Sequence, residues 1–173
     1  MKQQNRTLQQ LVLSAMFAAL CWAATMLVQI PTVAGYTNIG EGMCLLSGLV
    51  LGPWYGVAVA FVASLLRNLL GLGSLMAFPG SMFGALLCGL AYHKTKNLIA
   101  TVVGEVFGTS ILGGLCAYPV AICLMGKSAG DIAFYAYIVP FLISTAVGAV
   151  IAGAVVFSLQ RSGVLRSMQS SLS

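Results

Sequence analysis

Charge is what this sequence has least of. Its 173 residues include eight Lys or Arg and three Asp or Glu, so 6% are charged while 60% are hydrophobic. A soluble domain carries roughly 25% charged residues, because a water-facing surface must be solvated. So few charges cannot coat a soluble protein of this length, and the solvent for most of the surface must be lipid. Histidine is scarcer still. The single residue, His93, sits in a basic turn far from any candidate nucleophile. There is no G-x-S-x-G, no H-E-x-x-H and no phosphate-binding G-x-x-x-x-G-K-[ST]. These absences exclude the common hydrolase and ATPase chemistries, and they call for no cofactor and no metal. The membrane carboxylate chain usual in a proton-driven carrier is missing too.

The formal net charge of +5 might suggest a nucleic-acid partner, but no basic cluster is interleaved with aromatics. Most charges stand in short segments beside apolar runs, as expected of residues that set topology at an anionic cytoplasmic face. The five cysteines, Cys21, Cys44, Cys88, Cys116 and Cys123, all lie within apolar runs, and none forms C-x-x-C. They read as small buried hydrophobes rather than a disulfide frame or a metal site. Lys2 and Arg6 precede an apolar run, as in a cleaved signal. That run, however, exceeds the roughly 7–15 residues of a signal core, so it is read as a retained first helix.

Apolar runs are what remains, and six helical segments can be drawn. They are Leu8–Ile30, closed by Pro31; Glu41–Leu51; Trp54–Leu70; Ser81–Tyr92; Asn97–Met125; and Ile132–Leu159. Gly52-Pro53 divides the second from the third, since proline removes a backbone donor and turns its predecessor away from helix. Thr32–Gly40 reads as an extramembrane loop. Gly71–Gly80 reads as an apolar, Gly-rich loop that folds back into the membrane domain. The expected fold class is therefore an all-α polytopic membrane protein, a single membrane-embedded domain over residues 1–173 with six transmembrane helices. Six spans put both termini on one side, with Lys94, Lys96, Arg161 and Arg166. The positive-inside rule makes that side the cytoplasm, and the chain a multi-pass protein of a prokaryotic cytoplasmic membrane.

Small residues align on helix faces at Gly48/Gly52, Gly80/Gly84 and Gly104/Gly108, a spacing that lets backbones approach closely. Ala15, Ala19 and Ala23 repeat that geometry on the first helix. Their face either packs internally or docks another protein's helix. Arg67 and Glu105 are the charges set well inside apolar runs, with an expected axial offset of about 8 Å at 1.5 Å per residue. They form an ion pair, or at least one of them meets a substrate. The other polar and aromatic candidates, Tyr36, Asn38, Glu41, Asn68, Phe78, Ser81, Tyr118 and Tyr135, gather towards the external side. There they make a plausible small-molecule pocket of mixed polar and apolar character, if they are not simply interfacial anchors.

The block from Gly52-Pro53-Trp54-Tyr55-Gly56 to Arg67-Asn68-Leu69-Leu70-Gly71, followed by Ala77-Phe78-Pro79-Gly80-Ser81, resembles the ThiW family. So do Gly104-Glu105-Val106-Phe107-Gly108-Thr109 and Tyr118-Pro119. ThiW proteins are substrate-binding (S) components of energy-coupling factor (ECF) transporters linked to thiamin precursors. The resemblance implies six membrane helices with cytoplasmic termini, and hydroxyethylthiazole as the small-molecule substrate. It also implies partners: a transmembrane coupling protein and two ABC ATPases. In S components an A-x-x-x-A face on the first helix meets the coupling protein, which Ala15, Ala19 and Ala23 would supply here. The other readings are an S component for thiamin or its pyrimidine moiety, a self-sufficient secondary carrier, or a scaffold. A carrier built from two related halves would show internal symmetry, and none is evident.

Overall fold

A computed structural model describes the backbone at residues 2–27, 29–32, 35–38, 40–71, 75, 77–126, 135, 137–163 and 165, and side chains within these except at 2–6, 27–38, 41, 124 and 125. The helices are α1 (Lys2–Leu27), α2 (Gly40–Leu51), α3 (Pro53–Leu69), α4 (Ala77–Thr95), α5 (Leu98–Phe107), α6 (Gly113–Met125) and α7 (Ile138–Arg161). A π-helical segment, Gly108–Leu112, joins α5 to α6 without a break. Six helical rods result, in the order expected. Among the described residues, three stretches are long and apolar enough to cross a membrane: Thr7–Met26, Leu98–Cys123 and Ile138–Arg161.

Several boundaries differ from expectation, each for a local reason. The first helix stops at Leu27 rather than Ile30. Pro31 disfavours helical backbone at Ile30, and Gln29–Thr32 (β1) instead pairs antiparallel with Gly35–Asn38 (β2). The stretch expected to be a plain loop thus holds a hairpin strand. In the Gly71–Gly80 stretch, helix α4 has already begun at Ala77. Pro79 is its third residue, where the missing N–H has no intrahelical acceptor to lose. The last helix starts at Ile138 rather than Ile132, with Tyr135 and Tyr137 at turn positions. Residues 127–134 lie outside the described residues. The α2–α3 turn falls where Gly52-Pro53 places it. Gly52 takes φ 91°, a left-handed value suited to glycine, and Pro53 opens α3.

Helix α4 is the post around which the others stand, and glycine sets the spacing. A β-carbon on Gly89 would lie 2.7 Å from Pro53 Cα of α3, and one on Gly104 of α5 would lie 3.1 Å from Leu87 O. A β-carbon on Gly108 would lie 2.6 Å from Phe83 O, and one on Gly48 would lie 3.0 Å from Cys88 Sγ. Gly113 approaches Gly80 backbone to backbone, and Gly84 receives Thr109. The Gly80/Gly84 and Gly104/Gly108 pairs therefore line one and the same seam. Gly52 has no such contact, so its part in the Gly48/Gly52 pair is conformational.

Of the cysteines, Cys21, Cys44 and Cys88 are buried, and the Cys21 and Cys44 sulfurs meet at 3.6 Å across α1 and α2. Cys116 is half-buried, whereas Cys123 is exposed on α6 and is not the buried hydrophobe expected.

The rods define two ends. At the termini end lie the start of α1, the α2–α3 and α4–α5 turns and the end of α7. At the hairpin end lie Leu27, the end of α3 and the starts of α4 and α7. Helix α2 does not join them: its 12 residues span about 18 Å, well short of a hydrocarbon core of about 30 Å. Gly42, in its first turn, abuts Ala152 of α7, where a β-carbon would meet Ala152 Cβ at 2.6 Å. Ala152 lies fourteen residues past Ile138, about 21 Å along that helix. Helix α2 therefore begins deep in the bundle, and β2 of the preceding hairpin packs against α7.

The glycine seam makes a direct prediction. Gly108→Ala forces a methyl onto a main-chain carbonyl and should cost about 1–3 kcal/mol. Gly153→Ala, whose β-carbon meets only Val102 Cγ2 at 3.7 Å, should be nearly neutral. Thermal unfolding of the two variants in detergent checks the contrast, and equal midpoints would contradict it.

Candidate functional site

The sequence candidates fall mainly at the hairpin end. Arg67 and Asn68 close α3, while Phe78 and Ser81 open α4. The two groups meet through a tilted ring contact, Phe61 to Phe78, with centroids 5.7 Å apart. Asn68 Nδ2 donates to Ser64 O at 2.9 Å, and the buried Ser81 hydroxyl donates to Ala77 O at 3.1 Å. Both are local bonds back to the carbonyl four residues earlier. Gly113 abuts Gly80, so Tyr118, half-buried on α6, lies about 8 Å farther towards the hairpin end. Tyr135 is exposed, at 58%, in the turn before α7, and does not form part of an enclosed wall. Tyr36 and Asn38 are on β2 and Glu41 is on the first turn of α2, while their side chains lie outside the described residues.

Arg67 and Glu105 stand at different heights along the bundle. Glu105 is only 4% exposed and packs against α4, where a β-carbon on Gly84 would meet its Cγ at 3.6 Å. Arg67 lies fourteen residues beyond the Pro53–Gly89 contact, and Gly84 only five residues beyond it. The axial separation is therefore about 13 Å, larger than equal helix starts suggested. Arg67 is half-buried, and its Nε is shielded from solvent with no hydrogen-bond partner.

A polar seam was missed by sequence reasoning. Thr109 and Ser110 are buried in the π-helical segment, and Thr145 is buried on α7, which packs against it. The Ser110 hydroxyl donates to Val106 O, competing with the backbone for that acceptor. Thr145 Oγ1 is shielded and has no partner, whereas Thr25 and Thr101 bond back to the carbonyl four residues earlier. The one available signal was Thr109-Ser110 set between glycines, and it does not reveal a change of helical pitch. Segments of this kind often mark functional sites.

On α1, Phe17, Ala18, Cys21 and Thr25 face inward, while Ala15 and Ala19 are exposed and Ala23 is half-buried. The small-residue face is therefore turned away from the bundle at its first two positions, which removes internal packing as its explanation there.

Apolar rods cemented by glycine, with polar side chains near one end, describe a helical membrane bundle. The fold is that of a solved S component: the structure titled "Structure and mechanism of the S component of a bacterial ECF transporter" is similar at a TM-score of 0.67 and 18% identity. The match covers 90% of this chain and 97% of that one. The chain belongs to the ThiW family, described as thiamine-precursor transporter proteins, whose sequence model matches residues 11–162. These are transport proteins and not enzymes. No individually curated protein matches the sequence.

The separation of Arg67 from Glu105 is testable by a double-mutant cycle. Arg67→Ala and Glu105→Gln should be additive in unfolding free energy to within about 0.5 kcal/mol. A coupling above about 1 kcal/mol would mean that the two groups interact after all.

Proposed function

We propose that this chain is the S component of an ECF-type importer and captures the thiamin precursor hydroxyethylthiazole on the outer side of a prokaryotic cell membrane. On this reading residues 1–173 form one membrane-embedded domain of six spans with both termini in the cytoplasm, so the termini end is the cytoplasmic end. The observation that carries the site is the shortness of α2. Because that helix starts deep, the outer half of the bundle is bounded by α3, α4, the π segment with α6, and α7, beneath the β1–β2 hairpin. On this reading Asn68, Phe78, Ser81 and Tyr118 belong to those walls, with Arg67 and the deeper Glu105, while Tyr36, Asn38 and Glu41 belong to the cover and floor. Tyr135 is the weakest of the candidates because of its exposure.

A neutral thiazole alcohol needs an aromatic or apolar slot for its ring and one or two hydrogen-bond partners for its nitrogen and hydroxyl. Phe78 and Tyr118 suit the first role, Asn68 and Ser81 the second. Titration of hydroxyethylthiazole into the purified chain should show Asn68→Ala weakened by about 1 kcal/mol and Phe78→Ala or Tyr118→Ala by somewhat more. Wild-type affinity in all three folded variants would remove the site from this end. Tight binding of thiamin or its pyrimidine moiety, with none of the thiazole, would replace the substrate.

On this reading the energy for transport comes from a coupling protein and two ABC ATPases, the chain having no ATP-binding motif of its own. Ala15, Ala19 and Ala23 suit the docking of that coupling protein, because small side chains let two helix backbones close up. Ala19→Trp should abolish uptake and co-purification with the ATPases while leaving ligand binding by the isolated chain within about twofold. Uptake by the isolated chain in liposomes, with no ATPase, would identify a secondary carrier instead.

A further inference from the structure

We infer that the termini end carries a second binding site, for the phosphate of an anionic phospholipid, separate from the proposed substrate site and independent of that reading. A cleft of about 290 Å³ opens there between α1, the α2–α3 turn and the end of α4. Residues 48–52 of the α2–α3 turn form one wall, and Gln10, Tyr92, His93 and Lys96 supply its polar side chains. A β-carbon on Gly52 would meet nothing within 4 Å, so glycine there leaves backbone open to a ligand where a side chain would fill the space.

Lys96 is the telling residue. Cations are favoured after a helix C-terminus in general, and that suffices for Lys94, exposed in the last turn of α4. Lys96 is different. It stands beyond the helix in left-handed backbone, φ 53°, among the described residues the one non-glycine with positive φ. The two-residue link between α4 and α5 demands that conformation, and glycine or asparagine fills such a position with less steric conflict than lysine. The left-handed turn folds the chain back, and Lys96 Nζ sits 5.0 Å from the centroid of the buried Tyr92 ring. The result is a cation held at the cleft wall rather than one swinging in solvent. A strained residue kept in place with its charge fixed against a cleft points to a ligand, and the ligand of a fixed ammonium beside an amide and a phenol is an anion.

The surroundings select a lipid as the bearer of that anion. Leu11, next to Gln10, and Leu90, next to Gly89, are exposed apolar side chains, as is Trp54 at the start of α3. A diester phosphate seated at Lys96 therefore has hydrocarbon-compatible surface beside it for acyl chains, which a free phosphate cannot use. Phosphatidylglycerol fits. In phosphatidylcholine the quaternary ammonium travels with the phosphate and opposes Lys96.

Native mass spectrometry of the full chain in detergent tests this with phosphatidylglycerol, phosphatidylcholine and inorganic phosphate as probes. Wild type should retain phosphatidylglycerol about tenfold over phosphatidylcholine, and millimolar phosphate should not displace it. Lys96→Asn, which suits left-handed backbone yet removes the charge, should bring retention down to the phosphatidylcholine level. Lys96→Arg should preserve retention, and Gln10→Ala should lower it several-fold. Unchanged phosphatidylglycerol retention in both Lys96→Asn and Gln10→Ala would overturn the site, as would equal retention of the two lipids by wild type. Displacement by inorganic phosphate would assign the cleft to a free anion and overturn the lipid.

Discussion

Close backbone approach along α4 is the constraint on which the rest of this structure depends. In lipid, apolar side chains gain nothing by leaving solvent, so helices associate through packing and interhelical polar contacts. Here the packing is glycine against backbone: Gly89 on Pro53, Gly104 on Leu87, Gly108 on Phe83 and Gly113 on Gly80. Each contact brings a neighbouring rod against α4 at a separation that a single methyl would prevent. Bulky residues are found inside, as Phe17, Leu45, Leu49 and Val156 are, and also outside, where Leu69, Ile99, Val150 and Phe157 are well exposed. The exposed set suits a surface covered by acyl chains.

A bundle so tight has little interior to offer a ligand, which makes the short α2 consequential. A sixth full-length rod in that position would close the hairpin end as it closes the other. Because α2 begins about 21 Å along α7, beside Ala152, that end is instead completed by the β1–β2 hairpin. Its two four-residue strands pair with one another along their facing edges. Thr109 and Ser110 on the π segment and Thr145 on α7 are buried in two elements packed against each other, and Ser81 is buried on α4.

Much of this was legible in the residues, and what was not has identifiable causes. Six rods, the Gly52-Pro53 turn and the interlocking Gly80/Gly84 and Gly104/Gly108 pairs follow from apolar run length and glycine spacing. The hairpin did not show, because Gln29–Asn38 lacks the alternation that marks a half-buried strand and its register depends on packing against α7. The π segment is equally silent, since Gly108–Leu112 reads as ordinary helix. Arg67 and Glu105 were judged by counting from helix starts, and counting cannot know that α3 and α5 meet α4 at different heights. Residue identity reports what a helix is made of, but relative height is decided by which glycine meets which backbone.

The two exposed faces of this protein pose different physical problems. On α3 and α7 the exposed residues include the large Phe61, Leu65, Val150 and Phe157, interspersed with Ala58, Ala146 and Ala154, and such relief is filled by fluid acyl chains at no ordering cost to a partner. On α1 the exposed surface alternates bulk with flatness: Leu8, Leu11, Val12, Met16 and Leu20 stand around Ala15 and Ala19. Lipid has no preference for flatness, because methyl groups and acyl chains are equally apolar. A second helix does, since dispersion falls off steeply with distance and a flat stripe lets many atoms reach contact at once. Exposed alanines at four-residue spacing are thus of little use to a chain surrounded only by lipid. They gain their value when a rigid partner can settle into the groove between the larger side chains.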